Sequence, residues 1–314
     1  MTSTSLRRLI LPGVAALALS LTGCGGGGGD EAASGKVAVD GSSTVYPMSN
    51  AAYEMLTEEA PGIKVAVGAS GTGGGFEKFC AGKTDISDAS RPIKDDEEVP
   101  VCEENGIEFT ELHVATDALT VVVNKDLAVE CLTVDQLKKL WLPGSKVSNW
   151  KELDPTFPDQ KIALFGPGAD SGTYDYMAGD VLESETEKTR EDYEASEDDN
   201  VLVQGVEGTA GATAYFGYTY FEENADKLKA VKIDSGNGCV APSAETAQSG
   251  EYTPLARPLF IYINNKSYTD NEAVKTYTDF YIENLPTIAE AAKFIPLNDE
   301  DYAETKAALE GIAK

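Results

Sequence analysis

The stretch that decides the fold is Val37–Gly75, VAVDGSSTVYPMSNAAYEMLTEEAPGIKVAVGASGTGGG. Val37 to Asp40 is a short apolar strand, and Gly41-Ser42-Ser43-Thr44 is a turn. From Tyr46 the apolar residues Tyr46, Ala52, Tyr53 and Leu56 fall at helical spacing, and the helix stops before Pro61-Gly62, because proline cannot continue one. Ile63 to Val67 alternates apolar and polar residues, as a strand does. A second turn of small residues, Gly68 to Gly75, leads into a short helix over Phe76 to Ala81. Strand, turn and helix repeated in this way specify an open α/β sheet.

The pattern continues outward. Leu119 to Val123 is an apolar strand after Thr116-Asp117-Ala118, and Leu259 to Ile263 is another, introduced by Arg257-Pro258. Between them, Thr133 to Leu140 and Tyr174 to Glu183 have helical spacing and Lys161 to Phe165 is a strand. A middle segment with its own α/β elements implies two lobes joined by two crossings. Residues 36–118 and 256–314 are expected to form lobe I, and 119–255 lobe II. The run Glu183 to Asn200, dense in Glu, Asp and Lys, reads as solvated helix and loop.

At the N-terminus, Arg7 and Arg8 precede an apolar run from Leu9 to Leu21, too short for the roughly 20 residues that span a bilayer. The run ends in Leu21-Thr22-Gly23-Cys24, which resembles a bacterial lipobox. That resemblance implies removal of residues 1–23 as a signal peptide and acylation of Cys24. Residues 24–35, with five consecutive glycines at 25–29, read as a flexible leash. The expected location is therefore outside the cytoplasm, lipid-anchored to the outer face of the cell membrane.

The chain has 314 residues and a net charge of −28, which loss of Arg7 and Arg8 takes to −30. Such a surface repels nucleic acid and anionic lipid. It also repels anionic ligands at long range, so an anion site must be built from local dipoles and positive charge. With Cys24 assigned to lipid, Cys80, Cys102, Cys131 and Cys239 form an even set, expected as two disulfides in an exported protein. Three pairings are open, and pairing within each lobe favours Cys80–Cys102 and Cys131–Cys239. No CxxC occurs and His113 is the one histidine, so no metal site and no cofactor is expected.

Three small-residue turns each open a helix: Gly41–Val45, Gly68–Gly75 and Asp170-Ser171-Gly172-Thr173. The first N–H groups of a helix lack intrahelical partners, and the macrodipole places about half a positive charge there. Ser and Thr offer hydroxyls, and Gly admits a close anion. Three such starts converging on one cleft would hold a tetrahedral oxyanion with neutral donors. The second turn lacks the Gly-Lys-Ser/Thr ending of a nucleotide loop. An exported phosphatase is disfavoured, since one histidine cannot build a multi-histidine metal site and neither Ser70 nor Ser171 has an evident base. A structural or adhesive lipoprotein would leave the three turns without a purpose.

Gly41-Ser42-Ser43-Thr44-Val45-Tyr46-Pro47, Ser70-Gly71-Thr72-Gly73-Gly74-Gly75-Phe76, Asp85 to Ile93 and Asp170-Ser171-Gly172-Thr173 occur in the order found in PstS-type periplasmic phosphate-binding proteins, receptors of a phosphate ABC importer. The resemblance extends from about Val37 to about Leu297, with Gly217-Tyr218 also matching. It implies a two-lobe class II periplasmic-binding-protein fold with two hinge crossings, a monomer that carries phosphate to an ABC permease. By position, Ser43, Thr44 and the Val45 amide would donate from the first turn, Ser70 from the second, and Ser171, Gly172 and Thr173 from the third. Arg91 would supply the cation, its planar fork able to hold two oxygens. The best-known members carry an Arg just before Ser-Gly-Thr and an Asp near the position of Arg91; this chain has Pro167 and Arg91 there. The carboxylate that accepts the proton phosphate carries, and sulfate lacks, is therefore open among Asp170, Asp88 and Asp117, with Asp170 ranked first by its place beside the third turn. Sulfate, molybdate or a phosphonate is the alternative ligand.

Overall fold

The computed structural model describes residues 33–169 and 171–312. Its first part holds β1 (Ser34–Gly41), α1 (Tyr46–Glu59), β2 (Gly62–Val67), α2 (Thr72–Cys80), β3 (Ile86–Ala89), α3 (Val99–Glu104) and β4 (Phe109–Asn124). The middle holds β5 (Cys131–Thr133), α4 (Val134–Trp141), β6 (Ala163–Gly166), α5 (Gly172–Tyr176), β7 (Glu194–Ala195), α6 (Asp199–Gly208), β8 (Ala212–Gly217), α7 (Tyr218–Glu223), β9 (Leu228–Ala230), β10 (Lys232–Asp234), β11 (Cys239–Val240) and α8 (Ala244–Gln248). β12 (Ala256–Asn264) then leads to α9 (Asn265–Asp270), α10 (Glu272–Glu283), α11 (Leu285–Ala291) and α12 (Asp299–Ile312). The lipobox, Cys24 and most of the leash lie outside the described residues. Among those described, no helix is long and apolar enough to cross a membrane.

One nine-stranded sheet organises the molecule, in the order β2-β1-β3-β12-β4-β8-β6-β7 with β9 also on β4. β4 is its seam. Residues Phe109 to Ala118 pair antiparallel with β12, and Leu119 to Val123 pair antiparallel with β8. The change of partner falls between Ala118 and Leu119. The returning chain crosses beside it, with Ala256 opposite Ala118 and the Leu119 amide donating to the Leu255 carbonyl at 2.8 Å.

Each half of the sheet buries its own core. Val37, Val39, Met48, Leu56 and Ile63 pack with Ile261, Tyr277 and Tyr281 on one side of the seam. Val121, Leu137, Trp141, Trp150 and Tyr215 pack on the other. Ala118, Ala247 and Ile295 form a small cluster where the halves meet. α1 turns Met48, Ala52 and Leu56 inward at intervals of four, the spacing of a single helix face. β2 buries Ile63 and Val65 and exposes Lys64 between them, the alternation of a half-buried strand.

Two disulfides are present, Cys80–Cys102 in the first half and Cys131–Cys239 in the second. The latter joins β5 to β11 across a three-stranded sheet ordered β11-β10-β5.

Three local expectations are corrected. The helix expected from Phe76 begins at Thr72, so Gly73 to Gly75 form its first turn rather than a loop. Gly75 is needed there, since a Cβ on it would lie 2.5 Å from the Cα of Gly41. Close approach of α2 to β1 thus offsets the poor helix propensity of glycine. The helix expected over Tyr174 to Glu183 begins at Gly172 and passes into a π-helical turn over Met177–Val181. The charged run Glu183 to Asn200 is not all solvated: Thr189 and Arg190 are buried. The Arg190 guanidinium donates to the Leu140 and Val147 carbonyls, each at 3.0 Å, and pairs with Asp192, which satisfies a charge that composition alone would put in water.

Candidate functional site: a polar cleft between three turns

The first turn hangs from β1. The Ser42 amide donates to the Asp88 carbonyl at 2.8 Å, and the Ser42 carbonyl accepts the Tyr46 amide at 3.0 Å. Val45 stands at the start of α1 with no side-chain cap, its own side chain fully buried. Among the described residues the Ser43, Thr44 and Val45 amides have no acceptor. Three donors therefore point out of the positive end of a 14-residue helix.

In the second turn Gly71 precedes α2 with φ 81°, a left-handed conformation glycine adopts without strain. The Ser70 hydroxyl is bonded to Asp40, and its amide reaches the same carboxylate oxygen at 3.2 Å. Asp40 is also paired with Lys78 at 2.6 Å. Ser70 is thus held to Asp40, and the cleft wall at this turn is made by Gly71 and Thr72. Thr72 Oγ1 lies 3.1 Å from Ser90 Oγ and accepts the Ser90 amide at 3.2 Å.

The third turn comes from the other half. Ser171 Oγ accepts the Thr173 amide at 3.2 Å at the start of α5. A Cβ built on Gly172 would lie 3.2 Å from Thr44 Oγ1, so the first and third turns meet in van der Waals contact. Asp170 lies outside the described residues.

The first and second turns border a cleft of about 370 Å³, whose lining does not include Ser171, Gly172 or Thr173, although Gly172 lies against Thr44 at its edge. Ser42, Ser43, Thr44, Gly71, Thr72, Ser90 and Arg91 line one side. Asp175, Tyr176, Gly179, Asp180 and Glu187 line the other, and Arg257 also reaches it.

Two arginines face three carboxylates in that lining, one net negative charge. Arg91 Nη1 and Nη2 donate to the two Glu98 oxygens at 2.9 and 2.7 Å, and Nη1 also reaches the Pro92 carbonyl at 2.9 Å. Glu98 raises the Arg91 pKa; burial opposes ionisation of Glu98, yet Arg91 and the Lys94 amide hold that carboxyl below its usual range. Burial, and then Glu187, push Asp175 upward.

The other two candidate acceptors are engaged elsewhere. Asp88 lies behind the first turn, fully buried, with Oδ1 accepting the Ser49 hydroxyl at 2.8 Å and Oδ2 without a partner among the described residues. Burial pushes it up to about 7, with Asp40 adding to the rise and Ser49 opposing it. Asp117 is raised by burial, partly offset by Arg257, whose Nε lies 3.3 Å from Asp117 Oδ2.

Reading the residues in order missed Arg257, Thr72, Ser90 and the cleft carboxylates. An arginine at the head of a buried strand was the available signal, since a buried cation needs a counter-ion. His113 sits half-buried in β4 with Nε2 3.0 Å from the Ala115 carbonyl, remote from the cleft lining.

A mixed sheet in two halves, crossed twice by the chain and notched by a cleft where helix starts converge, defines a solute-binding protein of the class II periplasmic-binding-protein fold. Residues 27–284 match the PBP superfamily domain. The chain is 44% identical over 269 residues to the SphX protein of Synechocystis, covering 85% of this chain and 80% of that one. It is 39% identical over 298 residues to the phosphate-binding protein PstS of Staphylococcus saprophyticus, covering 94% and 91%. A crystal structure of a possible phosphate binding protein from Planctomyces limnophilus superposes with a TM-score of 0.85 at 44% identity, covering 90% of this chain and all of that one. The chain belongs to the PBP superfamily and, within it, to the PstS-type phosphate-binding proteins, which are receptors and not enzymes.

Proposed function

We propose that this chain captures inorganic phosphate between its two halves and delivers it to an ABC permease. The observation that carries this reading is the close approach of Gly172 to Thr44, which sets the third turn against the first at the edge of the cleft. The Ser43, Thr44 and Val45 amides and the donors of Ser171, Gly172 and Thr173 surround the anion. Thr72 takes the part in the second turn that the bond to Asp40 denies Ser70. Arg91 contributes positive potential beside α2, tempered by Glu98.

The net negative lining supports phosphate over sulfate. Carboxylates repel a bare dianion but accept a hydrogen bond from one that still carries a proton. Asp170, adjacent to the third turn, is the proposed acceptor. Residues 36–118 with 256–314, and 119–255, act as the two lobes, closing about a hinge near Ala118 and Arg257-Pro258. Cys24, acylated after removal of residues 1–23, tethers the monomeric receptor to the outer face of the cell membrane beside its permease.

Isothermal titration of residues 36–314 with phosphate, arsenate and sulfate tests this. Phosphate and arsenate are expected to bind, and sulfate at least about 100-fold more weakly, the cost of an unpaired buried polar group. Equal binding of sulfate refutes the acceptor, and silence with all three refutes the ligand class.

A further inference from the structure

Arg257 occupies a singular place in the cleft. It opens β12 directly opposite Asp117 of β4, where the chain crosses between the halves, and its side chain is only 12% exposed. The guanidinium lies over the Tyr176 ring at 3.7 Å. Nε is held by Asp117 at 3.3 Å, Nη2 donates to Thr44 Oγ1 at 3.0 Å, and Nη1 donates to Asp180 Oδ2 at 2.7 Å. We propose that Arg257 is the cation that receives the bound anion, and that Asp180 occupies its outer edge as an internal counter-ion which the ligand displaces.

This rests on the phosphate reading above and extends it. A guanidinium carries five N–H donors. Three of those on Arg257 are used, which leaves one on each Nη without an acceptor among the described residues. Arg91 is differently placed: its two Nη groups grip both oxygens of Glu98, a carboxylate only 16% exposed.

The two carboxylates on Arg257 are unequal. The Asp117 side chain is 11% exposed and fixes the guanidinium plane through Nε, while that of Asp180 is 58% exposed. An ion pair with so exposed a partner is worth at most about 1 kcal/mol, so its exchange costs little. A phosphate at the same edge would instead gain a charge-assisted, two-pronged contact in a largely desolvated place. Tyr176 and Asp117 keep the guanidinium aimed during the exchange.

The test is isothermal titration of phosphate into the full chain and four variants. Arg257→Gln is expected to weaken binding at least about 100-fold, the usual consequence of stripping a buried charge partner. Because it also orphans Asp117, Arg257→Gln with Asp117→Asn is measured beside it and is expected to show the same loss with a restored melting temperature. Asp180→Asn is expected to tighten binding about twofold to fivefold, the reach of an exposed ion pair. Asp175→Asn, which removes a cleft carboxylate that does not pair with Arg257, is the control, and a larger gain in Asp180→Asn than in Asp175→Asn marks release of Arg257. Binding within threefold of wild type in the folded double variant overturns the assignment of Arg257. Unchanged or weaker binding in Asp180→Asn, or a gain no larger than that in Asp175→Asn, overturns the displaced counter-ion. Failure of the unaltered chain to bind phosphate brings down the proposed function and this inference together.

Discussion

Asp88→Asn isolates a carboxyl group that the fold keeps from water. Asp88 is fully buried, its Oδ1 accepts the Ser49 hydroxyl, and its Oδ2 has no partner among the described residues. Burial carries its pKa from 3.8 to about 7. Between those values the folded chain binds a proton that the unfolded chain has lost, so stability falls as pH rises through the window. Each pH unit costs about 1.4 kcal/mol, so the loss between pH 4 and pH 7 is on the order of 4 kcal/mol. Asparagine preserves an acceptor for Ser49 and carries no charge at any pH. Urea unfolding at pH 4, 6 and 8, without phosphate, should give nearly equal stabilities for the two proteins at pH 4. The variant should be the more stable at pH 8, by on the order of 4 kcal/mol. The many other carboxylates titrate alike in both proteins and cancel in the difference. A stability difference that stays constant from pH 4 to 8 would refute the reasoning, because Asp88 would then not be titrating in that range.

Gly172→Ala should weaken phosphate binding by about 1–3 kcal/mol, the usual cost of overpacking, because its methyl group would press on Thr44; titration calorimetry measures it, and an unchanged melting temperature would place the effect in the cleft. Arg91→Ala should cost about 2–5 kcal/mol of binding by leaving Glu98 uncompensated. Adding Glu98→Gln should recover most of that loss in the same assay. Replacing Cys131 and Cys239 by serine opens a crosslink spanning 108 residues and should cost about 4–5 kcal/mol in denaturant unfolding, against about 3 for Cys80 and Cys102, which span 22.

The succession β1, first turn, α1 and β2 was legible because each signal is local: alternation in the strands, helical spacing, and Pro61-Gly62 as a stop. β4 was legible only in two pieces, Glu111 to Val114 and Leu119 to Val123. Its earlier residues include Thr110, Glu111, His113, Thr116 and Asp117, which interrupt the apolar run although backbone pairing with β12 continues through them. In the cleft, the first and third turns could be read from capping chemistry. The engagement of Ser70 could not, because the carboxylate that takes its hydroxyl lies 30 residues earlier. Arg257 was read as the head of a strand, yet its partners lie 77, 140 and 213 residues away. Short-range patterns encode where donors begin, and only the folded chain shows which of them are already taken.

β4 runs without a break from the core of one half into the core of the other, bonded along its length first to β12 and then to β8. A jaw joined this way has no slack tether to swing on. Its opening is a torsion of paired strands, and neighbouring strands tolerate interstrand twists of only roughly 10 to 35°. The travel is therefore elastic, closer to a flexed spring than to a door on pins. What a partner touching both halves would sense is the rotation of one against the other, transmitted through strands they share.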